Sequence, residues 1–347
     1  MRKSSIAILL LLVILLPIMG ACSQAAAPAP APAPAPAGPE PIVLTLIASE
    51  ARGVPSRDLS IDLYAEEVFK LTDGEVIIDW IGGPEAFGSG PEIAQGVREG
   101  AVDIFMGPAY YKSQVPEIWA LGLYEIDVTT ERERGFDEFM REKHAENMNA
   151  FWIGRMSWAM PMILATNFPF QSPGDLVGKT ARQSPTVNHF LVGAGMVPVE
   201  IEEEYDGFER GIIDSACTPL SSLYATSCFP FLNYFLDRGM AGSALLGILN
   251  LDKYNSLSPK NQEAMKQARI NIEQEMTYVF KGLAAEARTE AILAGLTPVI
   301  PLPEDIDEWR AISYSSGWEV MKEKMDADSV TKLKSFMAPS EPGRDGF

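Results

Sequence analysis

The chain has 347 residues, more than one compact core normally uses, so its length predicts two lobes or domains. Hydrophobic residues make up 47% and charged residues 22% of the sequence, values that are typical of a globular protein rather than a disordered chain. The 47 acidic residues outnumber the 28 Lys and Arg residues, which gives a net charge of −19 and argues against nucleic-acid binding, while two histidines and three cysteines argue against a zinc or iron–sulfur enzyme.

The first 22 residues have the pattern of an export signal that ends in a lipid attachment site. Arg2 and Lys3 precede an apolar run over residues 6–19, which is shorter than the ~20 residues of a membrane span and suits a signal-peptide core. Small residues and then Cys22 follow the run, which resembles a bacterial lipobox. We predict that residues 1–21 are a lipoprotein signal peptide and that Cys22 is lipidated. Ordinary secretory cleavage or an uncleaved anchor are the alternatives.

Residues 22–40 are predicted to be a tether between that lipid and a folded body. Alanine and proline alternate through residues 27–37, a composition that favours extended polyproline II and prevents a packed helix or sheet. The stretch 25–40 would span about 50 Å at ~3.1 Å per residue. Disordered filler is the alternative interpretation.

The first part of the body, from residue 41, alternates predicted strands and helices. The apolar, β-branched pattern predicts strands and the capping and breaker residues predict helices, in the order strand 42–48, a helix from Asp58 that includes Leu63, Val68 and Leu71, strand 75–81, helix 91–100 and strand 102–106. This order predicts a parallel sheet with helices on both faces. Ligands of such sheets bind at the carboxyl ends of the strands, here the loops 49–56, 83–91 and 107–112.

A second set of elements follows and ends in a long helix. The same patterns predict strands near 159–165, 178–185, 197–199 and 211–217, with helices over 186–194 and around Tyr205 and Phe208. Ser258 and Pro259 then start one predicted helix that reaches about Leu293 and spans about 50 Å. That length exceeds one small lobe, so we expect this helix to brace two. In the body, Cys217 and Cys228 are either two buried thiols or a disulfide, because spacing alone does not establish the geometry.

Four stretches of the body resemble one family. Asp175–Arg182 (DLVGKTAR) is similar to the DLxGKxxR segment of the DctP-type solute receptors of tripartite ATP-independent periplasmic (TRAP) transporters. The same family resemblance extends to Gly195–Val199 with Glu203–Asp214, to Thr218–Leu223, and to Gly96–Asp103 in the first half. The order and spacing of these motifs cover nearly all of residues 41–340.

The resemblance implies an α/β, two-lobed periplasmic-binding-protein-like fold with a hinge and a long helix that braces both lobes. It divides the body into lobe I, residues 41–157 plus about 247–287, and lobe II, residues 158–246 plus about 288–340, with a tail at 341–347. It further implies a receptor, not an enzyme, that captures a small organic acid by lobe closure without a cofactor or metal. The implied partners are the small and large integral membrane subunits of a TRAP permease.

The resemblance also indicates the second-lobe ligand contacts. In that family an arginine at the position of Arg182 clamps the ligand carboxylate, and a planar guanidinium matches two carboxylate oxygens; from the residues alone Arg182 would be a surface residue or a partner of an acid such as Asp175. Thr218 stands where many members carry Asn, which keeps a side-chain donor but shortens its reach. Met162 stands where sialic-acid receptors place a second arginine, which argues against sialic acid. Met162 and Trp158 either line a pocket for a less polar acid or belong to the core.

First-lobe contacts are predicted from the loops after the strands. Arg52 either meets a second ligand carboxylate or lies in solvent. Glu92 is either a ligand contact or a first-turn charge that the helix dipole stabilises. Tyr110, with Tyr111 beside it, can both pack and donate a hydrogen bond, or belongs to the lobe surface.

Two other classes of protein remain as alternatives. One is a lipid-anchored hydrolase that acts on acidic substrates, and the other is a ligand sensor of the same fold. The predicted location is the outer face of the plasma membrane, on its periplasmic or extracellular side, with the lipid as the membrane contact. The sequence does not identify the carboxylate.

Overall fold

The computed structural model of the chain describes residues 40–49, 51–53, 55–123, 128–157, 160–184, 186–201, 203–242 and 245–337. The predicted signal peptide, Cys22 and the Ala/Pro tether up to residue 39 lie outside these described residues, as does the predicted tail 341–347. All described residues fall in one unit of the chain, Glu40–Phe347. Within the described ranges, no helix has both the length and the apolar character that crossing a membrane requires.

The described strands belong to two separate sheets. In chain order they are β1 Ile42–Ala48, β2 Val76–Gly82, β3 Ile104–Pro108, β4 Ala150–Ser157, β5 Pro161–Thr166, β6 Thr180–Arg182, β7 Val197–Val199, β8 Ser215–Thr218, β9 Tyr234–Leu236, β10 Ala241–Gly242, β11 Leu245–Asn250 and β12 Thr297–Val299.

Helices connect these strands and cover the sheets. They are α1 Pro55–Leu71, α2 Pro84–Phe87, α3 Gly90–Glu99, α4 Val128–Glu133, α5 Phe136–Met148, α6 Asn188–Gly193, α7 Glu204–Glu209, α8 Leu220–Ala225, α9 Leu251–Ser256, α10 Pro259–Asn271, α11 Glu273–Leu293, α12 Ile306–Arg310, α13 Ser316–Lys324 and α14 Ala327–Met337. Short 3₁₀ turns cover Pro116–Gly122, Pro173–Leu176 and Phe229–Phe231, and a π-helical turn covers Ala311–Ser315.

The first sheet has the strand order β2-β1-β3-β11-β4. The predicted parallel pairing holds for β1 with β2 and with β3. The sheet is mixed beyond these three strands, because β11 runs antiparallel to both β3 and β4. That strand returns from the second half of the chain and enters the sheet between β3 and β4, a pairing that no local pattern reveals.

The first sheet is covered on both faces, as the sequence predicts. Leu44 and Leu46 of β1 point to one face, where they belong to a hydrophobic cluster with Tyr64 of α1 and Met265 of α10. Ile47 points to the other face and belongs to a second cluster that includes residues of α3, α5 and α14. This alternation along β1 follows from the period of two in a strand.

The second sheet has the order β12-β9-β5-β8-β6-β7, with β10 paired to β5. Strands β6, β7 and β8 are parallel to one another, while β5 is antiparallel to β8 and to β9. Two short connections join the sheets, residues 158–160 between β4 and β5 and residues 243–244 between β10 and β11. Because four residue steps span at most about 14 Å, the end of β4 lies close to the start of β5.

The helix predicted over 258–293 is two helices, so that prediction was wrong in its continuity. Helix α10 ends at Asn271 and α11 starts at Glu273, and Ile272 between them has φ −83° and ψ −9°. The start is as predicted, because the Ser258 side chain accepts a hydrogen bond from Asn261 N and Pro259 is the first helical residue. Helix α10 contacts α1 beside the first sheet, and α11 contacts both α1 and α8 of the second.

Candidate functional site

One edge of the second sheet brings together three of the predicted contact residues. Arg182 is the last residue of β6 and Thr218 the last residue of β8, and these strands are parallel. Strand β5 runs antiparallel to β8 with Ile163 opposite Thr218, so Met162 near the start of β5 lies at the same edge. We call Arg182, Thr218 and Met162 the strand-end edge.

The strand-end edge lies beside the carboxyl ends of strands in the first sheet. Strands β1 and β3 run in the same direction as β4, because β11 is antiparallel to β3 and β4. The three-residue connection after β4 leads directly to Pro161 at the start of β5. Arg52 and Tyr110, which follow β1 and β3, therefore belong to the facing edge of the first sheet. This is the position at which α/β sheets bind ligands.

Arg182 forms an ion pair with Glu204, the first residue of α7. Arg182 Nη1 donates to Glu204 Oε1 at 3.2 Å. The two partners differ in exposure, since 33% of the Arg182 side chain is accessible but only 9% of the Glu204 side chain. Burial raises the pKa of Glu204, and the charge and hydrogen bond of Arg182 oppose that rise. The guanidinium is therefore paired with a buried carboxylate, while one third of the Arg182 side chain stays accessible.

The sequence did not identify Glu204 as the partner of Arg182. The acid suggested by the residues alone, Asp175, instead accepts hydrogen bonds from Ser172 N and from Gln171 N, both at 2.9 Å, and these lower the pKa of Asp175. Glu204 lies 22 residues beyond Arg182, and its position depends on the packing of α7. The sequence signals that could have found it are its place in the family-like stretch Glu203–Asp214 and its position directly before Tyr205 of a predicted helix.

The other two residues of the strand-end edge differ in burial. Thr218 is partly buried at the end of its strand. Met162 is 7% exposed and belongs to a hydrophobic cluster with Leu164, Cys217 and Ala241. This placement fits the packing interpretation of Met162, and a ligand contact by either residue stays a prediction.

Arg52 contacts two residues of the first half of the chain, Asp62 of α1 and Trp80 of β2. Arg52 Nη2 and Nη1 donate to the two carboxylate oxygens of Asp62 at 2.8 and 3.0 Å. Its guanidinium carbon lies 3.9 Å from the centroid of the Trp80 ring. More than half of the side chain remains exposed, so a role in binding a second carboxylate stays a prediction.

Glu92 and Tyr110 both contact the start of α3. Glu92 completes a capping box, because its Oε2 accepts from Ser89 N and Ser89 Oγ at 2.7 Å, and these hydrogen bonds lower the pKa of Glu92. The Tyr110 ring packs so closely on Gly90 that a Cβ there would lie 2.2 Å from it. Tyr110 is 45% exposed, whereas Tyr111 is buried and its hydroxyl lies 3.1 Å from His144 Nε2. Ligand contacts by Glu92 and Tyr110 stay predictions.

Lys112 is a partly buried cation that no sequence pattern indicates as a site residue. Lys112 follows Tyr111, and its Nζ lies 4.0 Å from the centroid of the Trp119 ring. Burial lowers the pKa of Lys112 to about 8. Burial and the charge of Lys112 together lower the pKa of His189, on α6 of the second sheet, to about 4. The charge of Lys112, which follows β3 of the first sheet, thus acts on His189 of α6 beside the second sheet.

Two predicted positions lie outside the described residues, Trp158 in the connection between the sheets and the lipidation site Cys22. Cys217 and Cys228 are both described and are free, buried thiols. Among the residues that the structure describes, no group of three or more His, Cys, Asp and Glu side chains is placed to hold a metal ion.

A cavity of about 540 Å³ lies on the α11 side of the second sheet. Its walls are mostly apolar and come from β5, the start of α8, β9 and α11, namely Met160, Pro161, Ile163, Pro219, Leu220, Ser221, Phe235, Asp237, Arg238, Gly239, Ala284, Ala285, Ala287 and Arg288. Arg288 of α11 pairs with Asp237 in a bidentate contact at 2.6 and 2.7 Å. This ion pair ties α11 to the end of β9.

Comparison with known proteins identifies a family that the chain matches and a curated protein to which it is similar. Residues 58–323 match the family of bacterial extracellular solute-binding proteins, family 7 (DctP). Over 156 residues the chain is 27% identical to the 2,3-diketo-L-gulonate-binding periplasmic protein YiaO of Escherichia coli K12. That alignment covers 44% of this chain and 46% of YiaO, so it spans less than half of the relative.

Solved structures share the fold at low sequence identity. A TRAP periplasmic solute-binding protein from Desulfovibrio salexigens with bound orotic acid superposes with a TM-score of 0.72 at 15% identity, over 85% of this chain and 97% of that one. One from Roseobacter denitrificans with bound L-galactonate superposes with a TM-score of 0.66 at 18% identity, over 86% and 99%. The chain therefore has the two-lobed α/β fold of these proteins, as the sequence predicts.

Proposed function

Because the chain belongs to family 7 of the bacterial extracellular solute-binding proteins, the DctP family, we propose that it captures a small organic acid between its two lobes and delivers it to a TRAP-type membrane permease. Members of this family are binding proteins, and the proposal requires no catalytic residue, cofactor or metal. The permease partner consists of a small and a large integral membrane subunit.

The observation that carries the proposal is the position of Arg182. It ends a strand at the edge where the two sheets approach each other, and its guanidinium is held on one side by Glu204 while one third of the side chain is accessible. A guanidinium in this position binds a carboxylate through two parallel hydrogen bonds and keeps its charge at any physiological pH. Thr218 at the same edge supplies a hydroxyl to the same ligand.

Lobe closure is the proposed capture step. We divide the body into lobe I, residues 41–157 plus about 247–287, and lobe II, residues 158–246 plus about 288–340, with a hinge where the chain crosses between the two lobes. A ligand that contacts both lobes favours the closed state by its difference in affinity for the two states. Arg52, Glu92 and Tyr110 are the proposed first-lobe contacts, and Met162 and Trp158 the proposed apolar ones.

The proposed location is the outer face of the plasma membrane. We assign residues 1–21 to a lipoprotein signal peptide, Cys22 to lipid attachment and residues 22–40 to a tether. A lipid and a semi-rigid Ala/Pro spacer keep the receptor close to the permease and leave the body able to turn between ligand and partner.

The proposal is tested by thermal unfolding of residues 40–347 with a carboxylate panel. The panel consists of L-galactonate, 2,3-diketo-L-gulonate and orotate, the acids named for the relatives above. A carboxylate at about 100 times its Kd adds about 2.7 kcal/mol to the unfolding free energy, which raises the Tm by several degrees in a protein of this size.

Arg182→Ala and Arg210→Ala form a matched pair for this screen. Both remove one positive charge from the second lobe, but Arg210 is exposed and pairs only at the surface with Asp206. We expect R182A to lose the stabilisation and R210A to keep it. Equal stabilisation of R182A would remove Arg182 as the clamp. If no panel acid, after the protein is unfolded and refolded to release any bound ligand, stabilised the wild type, sugar acids and aromatic acids would be excluded as the ligand class.

A further inference from the structure

The Arg182–Glu204 pair poses a problem for any carboxylate ligand, because the guanidinium already has an anionic partner. Glu204 Oε1 lies 3.2 Å from Arg182 Nη1. A ligand carboxylate on the accessible side of the same guanidinium would place two carboxylates on one cation, in a site from which closure excludes water. Two carboxylates bound to one guanidinium repel each other, and this repulsion disfavours the ionised form of one of them.

Glu204 is the group better placed to accept a proton. Its side chain is 9% exposed, and from the start of α7 it pairs with Arg182 of β6 and acts electrostatically on Cys217 of β8. Burial already raises the pKa of Glu204 before any ligand arrives. The three acids of the panel, by contrast, are strong enough to stay ionised at neutral and mildly acidic pH.

The charged and titratable groups that act on Glu204 come from three directions. Arg182 on β6 favours the ionised carboxylate, and the neighbouring Glu203, which is exposed, opposes it. The thiols of Cys217 on β8 and Cys228 after α8 also feel Glu204, and burial raises the pKa of both. These thiols therefore stay protonated through the neutral range. Of the charges that act on Glu204, the hydrogen-bonded Arg182 has the larger effect and the exposed Glu203 the smaller one.

We propose that Glu204 takes up one proton from solvent when a carboxylate binds Arg182. The incoming carboxylate replaces the Glu204 carboxylate as the anionic partner of the guanidinium. The protonated Glu204 then has a hydroxyl that can donate to a carboxylate oxygen, instead of repelling it. Binding of the carboxylate and uptake of the proton are thus thermodynamically linked. Each carboxylate bound to Arg182 is accompanied by one proton bound to Glu204. This inference rests on the proposed function, because it requires a carboxylate on Arg182.

The sign of the pH dependence follows from this linkage. When binding takes up a proton, affinity rises as pH falls, by at most about tenfold per pH unit between the pKa of Glu204 in the free protein and its higher pKa in the complex. A binding site with no coupled proton would show no such slope, since the panel acids do not change charge in this range.

The matched variants are Glu204→Gln and Glu203→Gln. Each removes one negative charge from adjacent positions, but of the two only Glu204 pairs with Arg182 and is buried. Titration calorimetry with L-galactonate, 2,3-diketo-L-gulonate and orotate, in two buffers with different ionisation enthalpies, measures the protons taken up per ligand. We expect close to one proton for the wild type and for E203Q. For E204Q we expect none, with an affinity at neutral pH that is higher than wild type and independent of pH.

The outcomes separate this inference from the proposed function. Binding by the wild type without proton uptake, or an E204Q variant that binds more weakly with the pH slope intact, would overturn proton coupling and leave Glu204 as a positioning residue for Arg182. Failure of every panel acid to bind would overturn both proposals for this ligand class. The two-buffer measurement on the wild type decides the question even if E204Q does not fold.

Discussion

His144 is buried with both ring nitrogens in defined hydrogen bonds. Nδ1 lies 2.6 Å from the Met140 carbonyl oxygen, which can only accept, so Nδ1 carries the proton. Nε2, at 3.1 Å from the Tyr111 hydroxyl, then accepts from it in the neutral ring. Burial lowers the pKa of His144 from 6.5 to about 4, although the Met140 hydrogen bond opposes this. The fold therefore holds His144 neutral.

Acid should destabilise the protein through this histidine. Its folded pKa lies below its unfolded pKa, so the stabilisation is fully present above pH 6.5 and is lost as pH falls towards 4. Between neutral pH and pH 4 the loss amounts to about 3 kcal/mol. Between neutral pH and pH 4 we expect the His144→Gln variant to lose about 3 kcal/mol less unfolding free energy than the wild type loses. Urea unfolding at the two pH values measures this difference.

The other histidine provides the control for this measurement. Burial and Lys112 also lower the pKa of His189 to about 4, so His189→Gln should remove its own share of the pH dependence and leave that of His144 in place. All other titrating groups are common to the wild type and the variants and cancel in the difference. Identical pH dependence of H144Q and wild type would show that His144 is not held neutral by burial.

The break between α10 and α11 coincides with a buried ionic network around β4. Arg269, in the last turn of α10, donates from Nε to the Arg155 carbonyl oxygen at 2.5 Å and pairs with Glu273 at 3.1 Å. Glu273, the first residue of α11, also pairs with Arg132 of α4 at 2.9 Å. These contacts fix both sides of Ile272 to the strand that leads into the connection between the sheets. The network thus ties the adjoining ends of the two helices to β4 and α4.

Gly154 is the residue that lets this network form. It lies at a β-bulge of β4, where the register against β11 shifts, and has φ +143°. A Cβ at this position would lie 2.8 Å from Arg269 Nε, and the Arg269 side chain, 1% exposed, has no open space to move into. A side chain at 154 would therefore both strain the backbone and displace a buried cation from its acceptor.

Gly154→Ala and Gly53→Ala separate these two effects. Gly53 has nearly the same φ, +138°, but a Cβ there would have no atom within 4 Å. We expect G53A to lose about 1 kcal/mol or slightly more from backbone strain alone. G154A should lose about 3 kcal/mol beyond that, because it breaks a buried charged network. Chemical denaturation measures both, and equal losses would contradict the role given to Arg269.

At the scale of the whole molecule, the negative net charge opposes the proposed binding of an anionic ligand. A net charge of −19 repels an anionic ligand at long range. Salt at physiological strength screens charges beyond about 8 Å, so the nearby charges of Arg182 and Glu204 outweigh the distant ones at the strand-end edge. Protonation of Glu204 on binding would make the local field still more favourable to an anion.

The Cys22→Ser variant tests the proposed lipid attachment and membrane location of the protein. We expect the wild type in the membrane fraction with incorporated labelled fatty acid, and C22S without label and released from the membrane. Cys228→Ser serves as the control, because it also removes one thiol but from a buried position in the body, and it should keep both the label and the membrane association. Membrane association of an unlabelled C22S would point to an uncleaved apolar segment as the anchor.

The amino-acid sequence by itself determined those features that depend on neighbouring residues. The apolar run of residues 6–19, the Ala/Pro stretch, the strand β1, the cap at Ser258 and the βαβ order of the first half are local patterns, and most of the described elements of the first half lie within a few residues of their predicted bounds. The spacing of four motifs identified the family, and the resemblance to that family gave the prediction that Arg182 contacts the ligand. Between residues 107 and 159 the pattern predicted no element, although α5 and β4 lie there.

Only the tertiary structure decided which residues meet across the chain. Glu204 became the partner of Arg182, β11 entered the first sheet antiparallel, and the predicted single helix divided at Ile272 beside a contact between Arg155 and Arg269, which are 114 residues apart. The physical reason is that strand register, desolvation and ion pairing depend on distances through space, which no local pattern contains. The directions of the pKa shifts of Glu204 and His144 belong to this second group, because burial is the largest cause of each shift.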